Sequence, residues 1–225
     1  MSDNKEMLGT APIGKLLFKL AIPTVVAQLI NMLYNIVDRI YIGHLEGVGD
    51  LALTGLGITF PVIVLIAAFT NLYGSGGATL FSIARGRGDN DEAESIIGTV
   101  FTLLVSTSLI LFVFCYLFRR PILFLFGASE QSIFYADQYL SIYLFGTAFS
   151  MLTTGLNGYI NAQGFPRIGM LTTVLGAVIN VILDPIFIFW LDWGIRGAAI
   201  ATILAQIVSL TWQLRILSNK EELLH

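Results

Sequence analysis

The chain has 225 residues, of which 56% are hydrophobic and only 12% charged, with a mean hydropathy of +0.80. A soluble domain carries about twice that share of charge, so a water-soluble globular protein is excluded and an all-α integral membrane protein is expected. The net charge of −3 says little, since the charges sit in loops; the basic residues are few and scattered, so nothing suggests nucleic-acid binding, and the single Cys115 excludes a disulfide framework.

Apolar runs long enough to span a bilayer, about 20 residues each, fall at 15–42, 52–81, 95–118, 132–161, 169–191 and 196–217. The first is no signal peptide, since it is too long and lacks a small-residue cleavage pattern. It also carries Gln28, Asn31, Asn35 and Asp38 at steps of three, four and three. On a helix these four make one polar stripe. An ionisable group in such a span costs about 2.5 kcal/mol or more in hydrocarbon and marks a functional site by default. Pro23 lies upstream of the stripe, where it removes a backbone hydrogen bond and acts as a kink or hinge.

Polar links separate the runs. Gly43 to Asp50 is turn-rich. The segment from Arg85 to Glu92 is the most polar loop, with Asp89 or Asn90 placed to cap the third helix. Arg119-Arg120-Pro121 ends that helix, and Gly164-Phe-Pro-Arg167 and Asp192-Trp-Gly194 supply the last two turns. With the N-terminus inside, Lys5, Lys15, Lys19, Arg85, Arg87, Arg167, Arg215 and Lys220 fall at cytoplasmic ends. Only Arg39, Arg119, Arg120 and Arg196 fall outside. The positive-inside rule therefore predicts both termini cytoplasmic, with 1–14 a cytoplasmic segment and 218–225 a cytoplasmic tail. The Arg119-Arg120 pair is expected to snorkel to the interface.

Further polar stripes occur as Thr153, Asn157 and Asn161 in the fourth run, and as Thr173, Asn180 and Asp184 beside Pro185 in the fifth. The sixth carries Thr202, Gln206, Ser209 and Gln213. At about 1.5 Å per residue, Asp38, Asp184 and Thr202 lie roughly 6–11 Å below the outer surface. Their oxygens, with that of Asn180, suit a hard cation, or one proton shared between the carboxylates. Asn157 enters near the cytoplasmic end of its helix and joins them only if that helix extends or bends. Hydrogen-bonded glue between helices is the competing role, but neutral partners would serve packing at lower cost than Asp38 and Asp184. Gly74-Ser-Gly-Gly77 lacks the Lys and strand of a phosphate loop and reads as helix packing. Without a Walker sequence or a nucleophile elbow, no catalytic residues or cofactor are assigned and an enzyme is not expected.

From about Pro12 to Leu217 the chain resembles the multidrug and toxic compound extrusion (MATE) transporters. The resemblance is carried by Leu20-Ala-Ile-Pro23, by Asn35-Ile-Val-Asp38 with Ile42-Gly43, and by Ser82-Ile-Ala-Arg85-Gly-Arg-Gly88. It continues in Asn161-Ala-Gln-Gly164, in Asn180-Val-Ile-Leu-Asp-Pro-Ile-Phe-Ile188, and in Gly194-Ile-Arg-Gly-Ala-Ala199 with Ala201-Thr202. It implies a secondary antiporter exporting organic, often cationic, compounds in exchange for Na⁺ or H⁺ by alternating access. Twelve helices in two six-helix lobes would face each other across a cleft, and 15–217 would be the N-terminal lobe. Its cation site would fall on Asp38, Asn180, Asp184 and Thr202, with Asn157 in the surrounding network and Ala198 giving its carbonyl. Pro23 would be the bending point of the first helix, and Gln28, Asn31, Asn35 and Gln206 would line the cleft.

The implied setting is the bilayer of a bacterial or archaeal plasma membrane. The implied partner is a second six-helix lobe, either a missing C-terminal half joined through a linker beginning in 218–225, or a second copy. The alternatives are a lipid-linked oligosaccharide flippase of the same superfamily, and a half-size or inert membrane fragment. A flippase calls for several basic residues in the cleft to hold pyrophosphate, and the spans are nearly free of them.

Overall fold

A computed structural model describes residues 12–218. The described chain is helical: α1 (Ile13–Gly43), α2 (Gly49–Gly86), α3 (Asn90–Leu117), α4 (Arg119–Leu125), α5 (Ile133–Phe145), α6 (Thr147–Ala162), α7 (Pro166–Pro185), a π-helical turn (Ile186–Trp190) and α8 (Gly194–Ser218). Five of its spans are long and apolar enough to cross a membrane on their own, and α5 with α6 make a sixth if counted as one bent span. The expected segments 1–14 and 218–225 lie largely outside the described residues.

Local chemistry sets the helix ends. Asp89 caps α3, its side chain accepting from Glu92 N at 2.9 Å, which satisfies one of the otherwise orphaned first-turn amides. Pro166 stands in the first turn of α7, where a missing N–H costs nothing. At the other end of α7, Pro185 cannot donate back into the helix, and the backbone continues as a π turn before Asp192 and Gly194 reverse it at positive φ. Pro23 and Pro61 are absorbed inside continuous helices.

The run 132–161 is two helices and not one. They meet at Gly146 with a bend of 59°. Glycine is required there because a Cβ would stand 2.5 Å from Ile203 Cγ1 on α8, so the bend and the seating of α8 share one residue. The third helix ends at Leu117, just before Arg119-Arg120-Pro121 as expected, but those residues open a short unforeseen helix, α4.

Helix order in space differs from order in sequence. α1 packs chiefly on α7, and α2 packs on α3, α5 and α6, while α8 lies against α5, α6 and α7. The larger core, around Leu104, Leu140, Leu144, Met151 and Tyr159, joins α2, α3, α5 and α6. A smaller one, around Ile42, Ala52, Ile188, Ala198 and Ala199, ties the end of α1 to the start of α8. Small residues allow the closest contacts: a Cβ on Gly74 would lie 2.9 Å from the Gly155 Cα, and one on Gly197 would lie 2.6 Å from the Phe187 backbone. Much of α1 is uncovered, including Leu17, Val25, Leu29, Met32, Leu33 and Ile36, an apolar surface suited to lipid or another protein.

Candidate functional site

Asn180 and Asp184 are four residues apart on α7 and therefore share a face. Asn180 Nδ2 donates to Asp184 Oδ1 at 3.2 Å and reaches Thr202 Oγ1 on α8 at 3.4 Å. Thr202 in turn donates to the Ala198 carbonyl at 3.0 Å. Asp184 is 0% exposed, Asn180 2% and Asp38 8%. The contact of α1 with α7 brings Asp38 to the same cavity as Asn180 and Thr202. Asp184 is joined to that lining through its hydrogen bond from Asn180.

Three oxygens of this group, Asp38 Oδ1, Asn180 Oδ1 and Asp184 Oδ2, are buried without a hydrogen-bond partner. A buried carboxylate oxygen lacking a donor is costly. Acceptors without donors, two of them on acids, fit a positive ligand: a hard cation held by oxygens, or a proton. Among the described residues no three His, Cys, Asp or Glu side chains form a metal cluster.

The cavity holds about 440 Å³ between α1, α2 and α5–α8. Gln28, Asn31, Asn35 and Asp38 all line it, so the α1 stripe does face one space, and Gln206 of α8 lines it too. Asn35 Nδ2 donates to the Asn31 carbonyl at 2.7 Å. Pro23 is buried within unbroken α1. The structure does not bring Asn157 into the Asn180–Asp184–Thr202 group. Its Nδ2 donates to the Gly169 carbonyl at 3.3 Å, and Gly169 precedes Asn180 by eleven residues, about 16 Å along α7. The bend at Gly146 redirects α6 without carrying Asn157 to the acidic end.

Sequence reasoning missed the tyrosines. Tyr139 and Tyr143, four apart on α5, stack with centroids 5.8 Å apart and line the cavity, as does Tyr34. The signal was their helical spacing in an apolar run, where a hydroxyl tip needs a polar neighbour. It also missed Asp137, a third acid within the run 132–161. Asp137 gives the Arg119-Arg120 pair an ion partner. Arg119 Nε pairs with Asp137 Oδ1 at 2.7 Å, its Nη1 donates to the Tyr116 carbonyl at 3.0 Å, and its guanidinium stacks 4.7 Å from the Tyr116 ring centroid. Arg120, with its Nε 3.7 Å from Asp137 Oδ2, remains largely exposed.

The family model described as MatE matches residues 23–186, most of the chain and all of α2 to α7. The chain belongs to the MATE family. It is 29% identical over 213 residues to the multidrug export protein MepA of Staphylococcus haemolyticus, a match covering 94% of this chain and 46% of that protein. A crystal structure of MATE in the bent conformation superposes with a TM-score of 0.85 at 27% identity, over 93% of this chain and 46% of the other. An outward-facing multidrug resistance MATE transporter of the MOP superfamily gives 0.86 at 26%, over 92% and 46%. The chain thus spans about half the length of the relatives it matches. This MATE chain is a multi-pass integral membrane protein of a transporter family, not an enzyme. Among the described residues no Lys or Arg lines its cavity, which leaves a pyrophosphate-binding flippase without support.

Proposed function

We propose that this chain provides the cation-coupling lobe of a multidrug efflux transporter that exports organic, often cationic, compounds in exchange for Na⁺ or H⁺. The observation that carries the proposal is the set of unpartnered buried oxygens on Asp38, Asn180 and Asp184, beside a polar cavity of organic-molecule size. Asp38, Asn180, Asp184 and Thr202 hold the ion, and the Ala198 carbonyl adds a further oxygen. Gln28, Asn31, Asn35 and Gln206 offer hydrogen bonds to the exported compound.

The coupling follows from charge. Empty, the site leaves two buried carboxylates close to one another, which favours an organic cation in the adjoining cavity. Arrival of Na⁺ or H⁺ neutralises that charge and removes the attraction, so the two cations exclude each other. The same neutralisation lets α1 move against α7, with Pro23 as the bending point, because Asp38 is the α1 residue in the group. A ligand shifts the balance between outward and inward states only through its different affinity for them, and a buried acid that is charged in one state and neutralised in the other supplies that difference. A second six-helix lobe, carried by a longer chain or a second copy, completes the cleft in a bacterial or archaeal plasma membrane. MATE relatives named for multidrug export support the substrate class.

Asp38→Asn is expected to abolish cation-coupled drug efflux by the full-length protein while leaving its amount in the membrane unchanged. Undiminished efflux by that variant would remove Asp38 from the mechanism. Efflux by the unaltered protein in Na⁺-free buffer across a range of pH separates the two ions.

A further inference from the structure

The apolar part of α3, residues 95–117, is about 34 Å long, enough to cross the roughly 30 Å hydrocarbon core of a bilayer. Arg119 and Arg120 follow it almost directly, so their guanidinium groups stand at headgroup depth. The two share one acid. Arg119 takes it: its Nε pairs with Asp137 Oδ1 at 2.7 Å, while Nη1 donates to the Tyr116 carbonyl. Arg120 is left over. Its Nε is 3.7 Å from Asp137 Oδ2, beyond hydrogen-bond length, and its side chain is 68% exposed. Glu130, in the loop after α4, pairs with neither arginine. The group therefore keeps one uncompensated positive charge. In the expected orientation it falls on the side that the positive-inside rule leaves poor in basic residues.

The same short segment is apolar on its outer face. Leu123 is fully buried and Ile122 packs on the larger core, which holds α4 in place. Leu117, Phe118, Phe124, Leu125 and Phe126 are exposed, Leu125 by 80%. A spare guanidinium among exposed rings suits neither water nor plain hydrocarbon. It matches a lipid whose acyl chain lies on the rings and whose phosphate meets the arginine, since guanidinium binds phosphate oxygens through its planar fork. A free phosphate would leave the rings uncovered, and a zwitterionic lipid would bring no net charge to offset that of Arg120. We propose that Arg120, with the α4 surface of Phe118, Phe124 and Leu125, binds the headgroup of an anionic phospholipid. Asp137 fixes Arg119 as the anchor and leaves Arg120 for the phosphate. None of residues 117–126 lines the cavity, so the lipid site is separate from the acidic group and independent of the efflux reading.

Titration of purified full-length protein in detergent with phosphatidylglycerol or phosphatidylcholine, with bound lipid counted by native mass spectrometry, tests the site. Phosphatidylglycerol should bind the unaltered protein more tightly than phosphatidylcholine. Arg120→Gln should weaken phosphatidylglycerol binding by about fivefold, the worth of one cation beside an anionic lipid, and leave phosphatidylcholine unchanged. Arg120→Lys should keep most of the preference, and Asp137→Asn should strengthen it because the charge of Arg119 is then uncompensated too. Phe124→Ser should weaken both lipids alike. Arg120 is exposed, so its variants should keep the elution profile and lipid-free melting temperature of the unaltered protein. Equal phosphatidylglycerol affinity in the Arg120→Gln and unaltered proteins would overturn the proposal. Displacement of phosphatidylglycerol by an equal concentration of inorganic phosphate would overturn it as well, because the site would then be one for a free anion.

Discussion

Asp184→Asn keeps the size and shape of a fully buried side chain and removes its charge. In the native arrangement one oxygen accepts from Asn180 Nδ2 at 3.2 Å and the other has no partner. A cation about 4 Å from a carboxylate gains about 4 kcal/mol at an effective dielectric constant of about 20. The amide dipole of Asn recovers some of this, and the relieved cost of burying a charge offsets more, leaving a net loss of about 2–3 kcal/mol. Cation binding should therefore weaken by roughly 30- to 150-fold. Thermal unfolding of full-length protein in detergent reads this out. At a cation concentration about 100 times the dissociation constant, the unaltered protein gains about 2.7 kcal/mol from binding. A variant with about 100-fold weaker affinity gains about 0.4 kcal/mol from the same relation. With no coupling cation present the order reverses, because the variant no longer buries an unpaired carboxylate oxygen and should melt above the unaltered protein. If H⁺ is the ion, the stabilisation appears on lowering pH and not on adding Na⁺. An Asp184→Asn protein that keeps the full cation-dependent rise in melting temperature would refute the electrostatic argument.

Packing and ion-pair predictions are checked by the same melting measurement. Gly74→Ala forces a Cβ to 2.9 Å from the Gly155 backbone and should destabilise by about 1–3 kcal/mol, as overpacking does. Gly155→Ala meets Leu104 Cδ1 at 2.7 Å; adding Leu104→Ala should recover part of its cost, giving a coupling of at least about 0.5 kcal/mol in a double-mutant cycle, and strict additivity would show that the two do not share the space. Asp137→Asn should cost only about 0.5 kcal/mol, since Arg119 is 29% exposed and solvent screens the pair, and drug efflux should be unchanged. Gly146→Ala should lower efflux more than stability if the α5–α6 bend must flex during transport; equal losses in both would make the bend a packing feature only.

The acidic group was legible because each of its members advertises itself locally. A carboxylate in a long apolar run is conspicuous, the step of four from Asn180 to Asp184 is a helical step, and counting residues from each span end gives comparable depths. Asn157 shows where that arithmetic stops. Its depth depends on where the fourth span bends, and at the bend Gly146 packs so closely on Ile203, 57 residues later, that a Cβ would stand 2.5 Å from Ile203 Cγ1. Asp137 went unremarked for a related reason: its partners Arg119 and Arg120 lie in what reads as a turn, and only the folded α4 brings them together.

Sequence alone determined the membrane class, most of the helical spans, the polar stripe on α1 and the family, because hydropathy and helical period act over short stretches of chain. Tertiary structure decided which stripes face one another. α1 turns its stripe into the cavity because it packs on α7 and barely on its sequence neighbour α2. Which buried oxygens lack donors was likewise settled only in three dimensions. Hydrogen-bond satisfaction is a property of neighbours, and the neighbours of Asp38 and Asp184 are supplied by helices distant in sequence.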